Sequence, residues 1–379
     1  MIENSVLVVG AGFAGAVHAR VLAENGYKVK VIDRRNHIAG NCFDYVDNVG
    51  VRVHKYGPHL FHTSNTKVID WITRFGEWSH YKHRVVARLE SGMVVPLPVN
   101  IHTVNKVFSV DLQTLEEAGA YLETLCDINS GSENAESYLY STIGRRLTDL
   151  FFSPYTEKMW GIPLRSMSPS VVRRVQVRLG WDDHYFPNDH FQALPTRGYT
   201  GLFQSIMRHD NISVDLDRSF SDEDRHNYIH TFNSMAIDEY FQYRLGSLPY
   251  RSIRFHHDRI SAQQAPSHVT INYTDQSPFT RETWWHNLPD HREQETGQCI
   301  RTKEEPCNYV DNSFERYYPI KTADGLNEKL YENYKRAAMN IDNMTFIGRC
   351  GTYQYLDMHQ VINQSLISAE RWVERQKEL

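Results

Sequence analysis

The chain has 379 residues and carries 41 lysines and arginines against 46 aspartates and glutamates, a formal charge of −5. This balance, without a long basic run, excludes nucleic acid and anionic membranes as general partners, and no 18-residue apolar stretch is available to span a bilayer. The length exceeds one simple hydrophobic core, so we expect two or three domains. Because a strand begins within a few residues and the five cysteines are scattered without a CxxC pair, we expect no signal peptide, reduced thiols and a cytoplasmic location.

A glycine-rich motif lies near the start of the chain. The apolar run Ser5–Val9 predicts a buried parallel strand. Gly10, Gly12 and Gly15 follow at once as GxGxxG. In this motif the first glycine permits the tight turn, the second lets the backbone approach a pyrophosphate, and the third lets the helix pack on the strand.

The residues after the motif complete a dinucleotide-binding unit. We expect a helix to about Asn25, stopped by Gly26, and a second strand from Lys28 to Ile32. That strand ends at Asp33, whose carboxylate can accept hydrogen bonds from ribose hydroxyls. An acid at this position argues against a 2′-phosphate, so the unit favours FAD or NAD over NADP.

Two binding loops and a hairpin are predicted next. Residues 34–45 are polar and could wrap adenosine and pyrophosphate, and residues 53–63, "VHKYGPHLFHT", are polar, aromatic and kinked. Residues 84–100 alternate and turn at Ser91-Gly92, which predicts a hairpin.

The rest of the chain changes pattern twice. Residues 102–176 are predicted to be mainly helical, with a polar loop at 128–137 and a mobile anion-binding loop at 161–175. Short strands are predicted from 178 to 320, interrupted by a charged connection at 286–312. The chain then ends in a strand, a Gly-Arg turn and a helix.

Nineteen histidines raise the question of a metal site. His54, His59 and His62 lie close together, and His256 and His257 are adjacent. None of them forms HxxxH or HExxH on a convincing helix, so we expect no metal.

The final turn carries a family resemblance. "FIGRCGTYQYLDMHQVI", together with "HKYGPHLFHT", "YTEKMWG", "DDHYF" and "ERYYPI", resembles the bacterial UDP-galactopyranose mutase family over nearly the whole chain. A second Gly-Arg turn that returns to the first domain suits the long FAD molecule better than NAD. The resemblance implies an α/β fold with a Rossmann-like FAD domain (1–75, 200–245 and 325–379), a helical domain (101–178, with a mobile substrate loop near 161–176) and a twisted antiparallel β-sheet domain (76–100, 179–199 and 246–324).

The resemblance also implies an isomerase that interconverts the pyranose and furanose forms of a nucleotide sugar without net redox change. In this family FAD is active when reduced: its N5 attacks the anomeric carbon, UDP leaves, and the sugar opens on a covalent flavin adduct and closes through another hydroxyl. An external reductant such as NAD(P)H or a flavin reductant, a homodimer and a role in polysaccharide biosynthesis are carried over as expectations.

Site residues follow from the matching motif positions. A diphosphate leaving group needs cations, and the arginine fork suits it. The predicted catalytic residues are Arg174, Arg281, His62 and Arg349. The predicted substrate contacts are Arg174, Arg281, Tyr155, Trp160, Tyr185, Tyr318, Tyr355 and His83. The predicted FAD contacts are Gly10, Gly12, Phe13, Ala14, Gly15, Asp33, Arg34, Gly40, Asn41, His59, Gly348, Arg349, Tyr355, Asp357 and Met358. His59 and His62 could assist proton transfer or could be structural, and the residues leave both roles open.

Departures from the family pattern leave the substrate open. Met159 stands where the family has glutamine, His83 stands where it has asparagine, and Trp284, Trp285 and His286 follow Arg281 on what we expect to be the substrate side. UDP-galactopyranose is the leading substrate, and dTDP-fucopyranose and UDP-N-acetylgalactosamine are alternatives. An amine-oxidase-like FAD oxidoreductase is the alternative of another class.

Overall fold

The computed structural model describes residues 4–173, 177–294 and 296–378. The strands, in chain order, are β1 (Ser5–Val9), β2 (Lys28–Ile32), β3 (Asp44–Val46), β4 (Arg52–His54), β5 (Phe61–Thr63), β6 (Trp78–His80), β7 (Val85–Arg88), β8 (Val94–Leu97), β9 (Phe191–Pro195), β10 (Ile212–Asp215), β11 (His230–Asn233), β12 (Tyr250–Ser261), β13 (Thr270–Tyr273), β14 (Arg281–Trp284), β15 (Gln298–Asn308), β16 (Tyr318–Pro319) and β17 (Met344–Phe346). The helices are α1 (Phe13–Glu24), α2 (Thr66–Ile72), α3 (Ile101–Phe108), α4 (Leu115–Leu125), α5 (Ala135–Leu147), α6 (Ser153–Trp160), α7 (Gly198–Met207), α8 (Ile237–Tyr240), α9 (Leu326–Ala338), α10 (Gly348–Gly351) and α11 (Met358–Lys377).

A parallel sheet in the order β10-β2-β1-β11-β17 forms the nucleotide-binding part. All five residues of β1 are buried, as expected for a central strand covered on both faces. Helix α11 packs along α1 on this sheet. The predicted strands β1 and β2 and the predicted helix α1 are confirmed, with Asn25 as the C-cap of α1.

A seven-stranded sheet in the order β16-β12-β15-β14-β13-β7-β8 forms the second layer. Its neighbouring strands are antiparallel except for β13 and β7, which run parallel. The predicted hairpin of β7 and β8 is confirmed. Strands β12 and β15 pair over the full length of β15, from Arg251 opposite Asn308 to Ser261 opposite Gln298.

The prediction that residues 286–312 form a connection is wrong, because they contain the eleven-residue strand β15. Its charged side chains pair with neighbours across the sheet: Arg301 with Asp258, and Glu304 with Arg281. Cross-strand ion pairs of this kind let a polar run lie in a sheet interior. Strands β12 and β15 also exceed the short strands predicted for this region.

The helices α3 to α6 form the predicted helical region. Helix α5 begins at Ala135, so the predicted loop at 128–137 ends three residues early. A π-helical turn over Thr148–Phe152 joins α5 to α6. The ammonium group of Lys158 on α6 donates hydrogen bonds to three carbonyls of the seven-stranded sheet region, those of Tyr273, Asp275 and Phe279. These bonds hold the helices against the sheet.

The strands of the parallel sheet come from three separate stretches of chain, 5–32, 212–233 and 344–346. The predicted domain boundaries themselves stay a prediction. All five cysteines lie within the described ranges and carry free thiols. Among the described helices, none combines the length and apolar content that crossing a bilayer requires.

Candidate cofactor and substrate cleft

A continuous cleft of about 520 Å³ lies between the carboxyl ends of the parallel strands and the inner face of the seven-stranded sheet. It is lined by twenty of the predicted site residues: Gly10, Gly12, Phe13, Ala14, Asp33, Arg34, Gly40, Asn41, His59, His62, His83, Tyr155, Tyr185, Arg281, Tyr318, Gly348, Arg349, Tyr355, Asp357 and Met358. Gly15 and Trp160 are described but do not line it. Arg174 lies outside the described residues.

The glycines of the first turn have different physical roles. A Cβ atom on Gly10 would lie 1.9 Å from Oγ of Ser234, and one on Gly15 would lie 1.8 Å from the carbonyl oxygen of Gly10. Packing therefore excludes any side chain at Gly10 and Gly15. A Cβ atom on Gly12 would meet only Cα of Gly40, at 3.6 Å, so the backbone of Gly12 is open towards the cleft.

The first turn of α1 faces the same space. Gly12 is its N-cap and provides no side-chain hydrogen bond to the N–H groups of that turn. Free N–H groups at the positive end of a helix dipole form an anion site. The turn therefore fits a pyrophosphate.

Asp33 stands beside this turn. Its Oδ2 accepts a hydrogen bond from the N–H of Ala11 at 2.7 Å, and its Oδ1 accepts one from the N–H of Arg35 at 2.9 Å. A carboxylate has about four lone-pair sites, so both oxygens retain capacity for ribose hydroxyls. The guanidinium of Arg34, at the rim of the cleft, pairs with Glu239 at 3.5 Å.

The C-terminal Gly-Arg turn closes the other side of the cradle. Gly348 has a φ of +69°, and a Cβ atom there would lie 2.9 Å from that of Ala14, so the second turn packs directly against the first. The guanidinium of Arg349 donates to the carbonyl oxygen of Tyr317 and lies 5.1 Å from the ring centre of Tyr355. A fixed cation therefore stands where the cleft passes from the nucleotide turns towards the tyrosines.

Three polar side chains lie side by side at the opposite end of the cleft. Asn272, Arg281 and Glu304 are register neighbours on β13, β14 and β15, and all three line the cleft. Nη2 of Arg281 donates to Oε2 of Glu304 at 2.8 Å. Nε of Arg281, Oε1 of Glu304 and Oδ1 of Asn272 are buried without a hydrogen-bond partner among the described residues. Such atoms are costly unless a ligand satisfies them.

Aromatic hydroxyls surround this polar row. Burial raises the pKa of Tyr155 and of Tyr318. Both phenols therefore keep their protons at neutral pH and remain hydrogen-bond donors. The rings of Tyr318 and Tyr355 meet edge to face with centroids 5.0 Å apart. Arginine and phenolic donors together form a site for an anion.

Four histidines line the cleft, including His359, and the surroundings of the three that the sequence predicted differ. Burial, followed by the charge of Arg281, lowers the pKa of His83 to about 3. Burial lowers the pKa of His59 to about 4. Nδ1 of His62 lies 2.6 Å from Oδ2 of Asp189. Of these three, His62 is the one in contact with a carboxylate.

Comparison with known proteins identifies the family of this chain. A sequence profile described as UDP-galactopyranose mutase matches residues 150–355, and one described as an NAD(P)-binding Rossmann-like domain matches residues 8–75. A probable UDP-galactopyranose mutase of Klebsiella pneumoniae is 36% identical, and the match covers 98% of this chain and 96% of that protein. The chain belongs to the UDP-galactopyranose mutase family. It is an isomerase of this flavin-dependent family, as the sequence predicted.

A second relative leaves the sugar undecided. The dTDP-fucopyranose mutase of Escherichia coli is 35% identical over 99% of this chain and 100% of that protein. The crystal structure of a reduced UDP-galactopyranose mutase superposes with a TM-score of 0.77 at 15% identity, covering 99% of this chain and 94% of that one. A putative protoporphyrinogen oxidase from Exiguobacterium superposes with a TM-score of 0.68 at 12% identity. At these identities the structures show the shared fold alone.

The described tryptophans at two predicted positions do not line the cleft. Trp160 is 8% exposed, and its ring packs against Tyr318 and Tyr355 instead of lining the cleft. Trp160 is the last residue of α6, and its ring belongs to the hydrophobic core of the helical region. Trp160 therefore supports the two tyrosines, and its proposed contact with the nucleobase stays a prediction.

Trp284, Trp285 and His286 also do not line the cleft, contrary to expectation. Trp285 is fully buried, donates from Nε1 to Oγ1 of Thr302, and packs beside His54, behind the loop that carries His59. Because side chains alternate along a strand, the residues after Arg281 do not all share its orientation. Met159, another departure, is likewise buried and does not line the cleft, whereas His83 does.

Sequence reasoning missed Glu304, Asn272 and Asp189. Glu304 lies in the run interpreted as a connection, and Asn272 lies on a strand whose neighbours were unknown. One available signal was Arg281 itself, because a cation predicted on a strand facing a cleft requires a nearby counter-charge.

Proposed function

We propose that this mutase interconverts the pyranose and furanose forms of a nucleotide sugar, with UDP-galactopyranose as the leading substrate. The observation that carries the proposal is one continuous cleft that joins a dinucleotide cradle to Arg281, whose Nε is buried without a hydrogen-bond partner among the described residues. The 36% identical relative from Klebsiella supports the UDP sugar. The 35% identical dTDP-fucopyranose mutase makes the dTDP sugar a second candidate.

The cradle fits FAD. Gly10, Gly12, Phe13 and Ala14 would hold the pyrophosphate, Asp33 a ribose, and Gly348, Arg349 and Met358 the flavin half. When bound and reduced, FAD supplies nucleophilic chemistry that no side chain in the cleft offers. The cation of Arg349 would favour the extra negative charge of the reduced form. This requirement for reduced FAD is part of the proposal.

Arg281 is proposed to bind the diphosphate. Its Nε has no partner within the described protein, and its single carboxylate contact uses Nη2, so other N–H groups of the fork remain for phosphate oxygens. Tyr155, Tyr185, Tyr318 and Tyr355 are proposed to donate to the same oxygens. Arg174 is proposed as a second cation on grounds of sequence alone. Holding the departing diphosphate close favours its return to the anomeric carbon.

Other parts of the proposal come from the chemistry of the reaction and from the family. A reaction without net redox change consumes no electrons, so a reductant such as NAD(P)H is needed only to prime the flavin. A cytoplasmic location and a homodimer stay predictions.

A chromatographic assay tests the substrate. Chemically reduced, FAD-loaded enzyme is given UDP-galactofuranose and dTDP-fucofuranose in separate anaerobic reactions. We expect conversion of the UDP sugar to its pyranose form. Conversion of only the dTDP sugar would retain the reaction and replace the substrate. If neither sugar, nor UDP-N-acetylgalactosamine, were converted while the flavin stayed reduced, the proposed function would be refuted.

A further inference from the structure

The loop between β4 and β5 carries His59 and β5 carries His62, and both histidines line the cleft with different hydrogen-bond partners. Nδ1 of His59 lies 2.8 Å from the carbonyl oxygen of Gly57. A carbonyl oxygen only accepts, so Nδ1 carries the proton and Nε2 of the neutral ring is an acceptor. Nδ1 of His62 instead lies 2.6 Å from Oδ2 of Asp189. A carboxylate stabilises both the neutral Nδ1–H form and the imidazolium of His62.

Hydrogen bonds from residues on or beside β5 and β9 hold Asp189 in place. Oγ of Ser64 donates to the carbonyl oxygen of Asn188 at 2.9 Å and to Oδ1 of Asp189 at 3.4 Å. Nε2 of Gln192 donates to the carbonyl oxygens of Phe186 and Asp189 at 2.7 and 3.0 Å. These bonds tie the turn at 186–190 to the paired strands β5 and β9, so the position of the carboxylate is fixed by backbone and side chains together.

Phe186 covers one face of the His62 ring. The two rings are nearly parallel, with an interplanar angle of 9° and centroids 3.6 Å apart. The side chain of His62 is 14% exposed and that of Asp189 is 25% exposed. With Nδ1 engaged and one face covered, Nε2 is the ring nitrogen left to serve the cleft that His62 lines.

We propose that Asp189 orients His62 as a carboxylate–imidazole dyad, and that His62 moves the proton when the sugar ring opens and closes. This inference rests on the proposed function. When the bond between the anomeric carbon and the ring oxygen breaks, its electron pair stays on oxygen, Nε2–H of His62 donates a proton there, and the reduced cofactor would supply the electron pair that the anomeric carbon loses. When the hydroxyl that forms the new ring attacks the anomeric carbon, that pair would return to the cofactor and Nε2 accepts the hydroxyl proton. One proton is given and one is taken, and no electrons are gained or lost.

Two of the other histidines that line the cleft are less suited to this exchange. His59 and His83 have pKa values lowered to about 4 and about 3, mainly by burial, so both are neutral at physiological pH. The ring of His359, from the first turn of α11, lies 5.2 Å from that of His62. The groups that face His62 are therefore Asp189, which favours its charged form, and His83 and His359, which oppose it when they are protonated.

The test replaces Asp189 by asparagine, which keeps the shape and removes the charge. We expect kcat to fall about 10- to 100-fold, less than the roughly 100- to 10,000-fold range for general acid–base catalysis because His62 itself remains, with the FAD content unchanged. Replacing His62 by glutamine should cause a loss of about 100-fold or more, and the double variant should lose no more than His62→Gln alone. The control is Asp183→Asn, because Asp183 is a half-buried carboxylate of the same segment that pairs with Arg84. It should leave kcat unchanged.

A titration provides a readout that does not depend on turnover. The ring of His62, assigned by the signal that His62→Gln removes, is titrated by NMR in the cofactor-free protein. Asp189→Asn should lower its midpoint by about one unit and move the acidic limb of the pH–rate profile in the same direction. Asp189→Glu, which restores the charge, should recover part of both shifts.

An unchanged midpoint and kcat in a folded Asp189→Asn variant would overturn the dyad. If that variant does not fold, Ser64→Ala removes the hydroxyl that contacts Oδ1 and should lower the midpoint by a smaller amount. No shift in Ser64→Ala would then count against the proposal. If the wild-type enzyme converted no nucleotide sugar, the proposed function would fail, and His62 would lose its proton-transfer role even if the titration confirmed the contact.

Discussion

Replacing Glu304 by glutamine separates the two roles of the Arg281 cation, which are to hold the sheet together and to bind an anion. Glu304 is 1% exposed and is the carboxylate that contacts Arg281. Removing one partner of a buried ion pair costs about 3–5 kcal/mol. Because the side chain of Arg281 is 23% exposed, we take the lower value, about 3 kcal/mol. At about 2 °C per kcal/mol for a large domain, the Tm should fall by roughly 6 °C.

A bound diphosphate should recover part of that loss. In the variant, UDP provides the counter-charge that Arg281 lacks, and hydrogen bonds between charged groups contribute about 1.5–3 kcal/mol. Thermal unfolding with and without saturating UDP should therefore give a ligand-induced Tm shift that is larger in Glu304→Gln than in the wild type by roughly 3 °C.

The matched control for this experiment is Asp258→Asn on the same sheet. Its carboxylate is 44% exposed and pairs with Arg301, so its removal should cost less than about 1 kcal/mol. The UDP-induced shift should stay at the wild-type value in the control. An equal UDP-induced shift in Glu304→Gln and in the wild type would show that Arg281 does not meet the diphosphate.

Three further changes test other parts of the cleft and the core. Gly12→Ala should abolish the retention of FAD, measured as flavin absorbance per protein, because the added methyl group would enter the pyrophosphate site. The control Gly119→Ala on α4 should retain FAD. Full flavin content in Gly12→Ala would show that this turn does not hold the pyrophosphate. Arg281→Lys should reduce kcat/KM by about 10- to 100-fold through loss of the arginine fork, and Arg301→Lys should not; equal effects would point to a general loss of sheet stability. His18 is fully buried, and burial lowers its pKa from 6.5 to about 4, so the unfolded chain binds more protons in that window and stability is lost as pH falls from 6.5 to 4. His18→Leu should therefore reduce the loss of unfolding free energy between pH 7 and pH 4 by about 3 kcal/mol, and an unchanged pH dependence in urea unfolding would contradict the assignment.

The first turn could be predicted from the sequence because its determinants are local. Gly10, Gly12 and Asp33 lie within a single strand–helix–strand unit, and each has a physical reason that needs no distant neighbour. The same holds for the hairpin of β7 and β8, whose turn is marked by Gly92.

The polar row on the seven-stranded sheet could not be predicted in the same way. Arg281 and Glu304 meet because β14 and β15 are neighbours, and a charged run gives no periodic apolar pattern from which that pairing follows. Asp189 and His62 are brought together by strands that lie more than 120 residues apart. Trp285 was misplaced because sequence proximity to Arg281 was used as a guide to position, whereas the ring packs behind the loop that carries His59.

Counting product molecules per reduced flavin tests most directly whether the enzyme is a mutase that works without net redox change. FAD-loaded enzyme is reduced once with one equivalent of dithionite under anaerobic conditions, the excess of UDP-galactofuranose is added, and product and flavin absorbance are followed together. We expect many pyranose products for each flavin, with the flavin still reduced at the end. Product formation limited to one molecule for each flavin, with oxidation of that flavin, would contradict the mutase reaction and indicate an oxidoreductase.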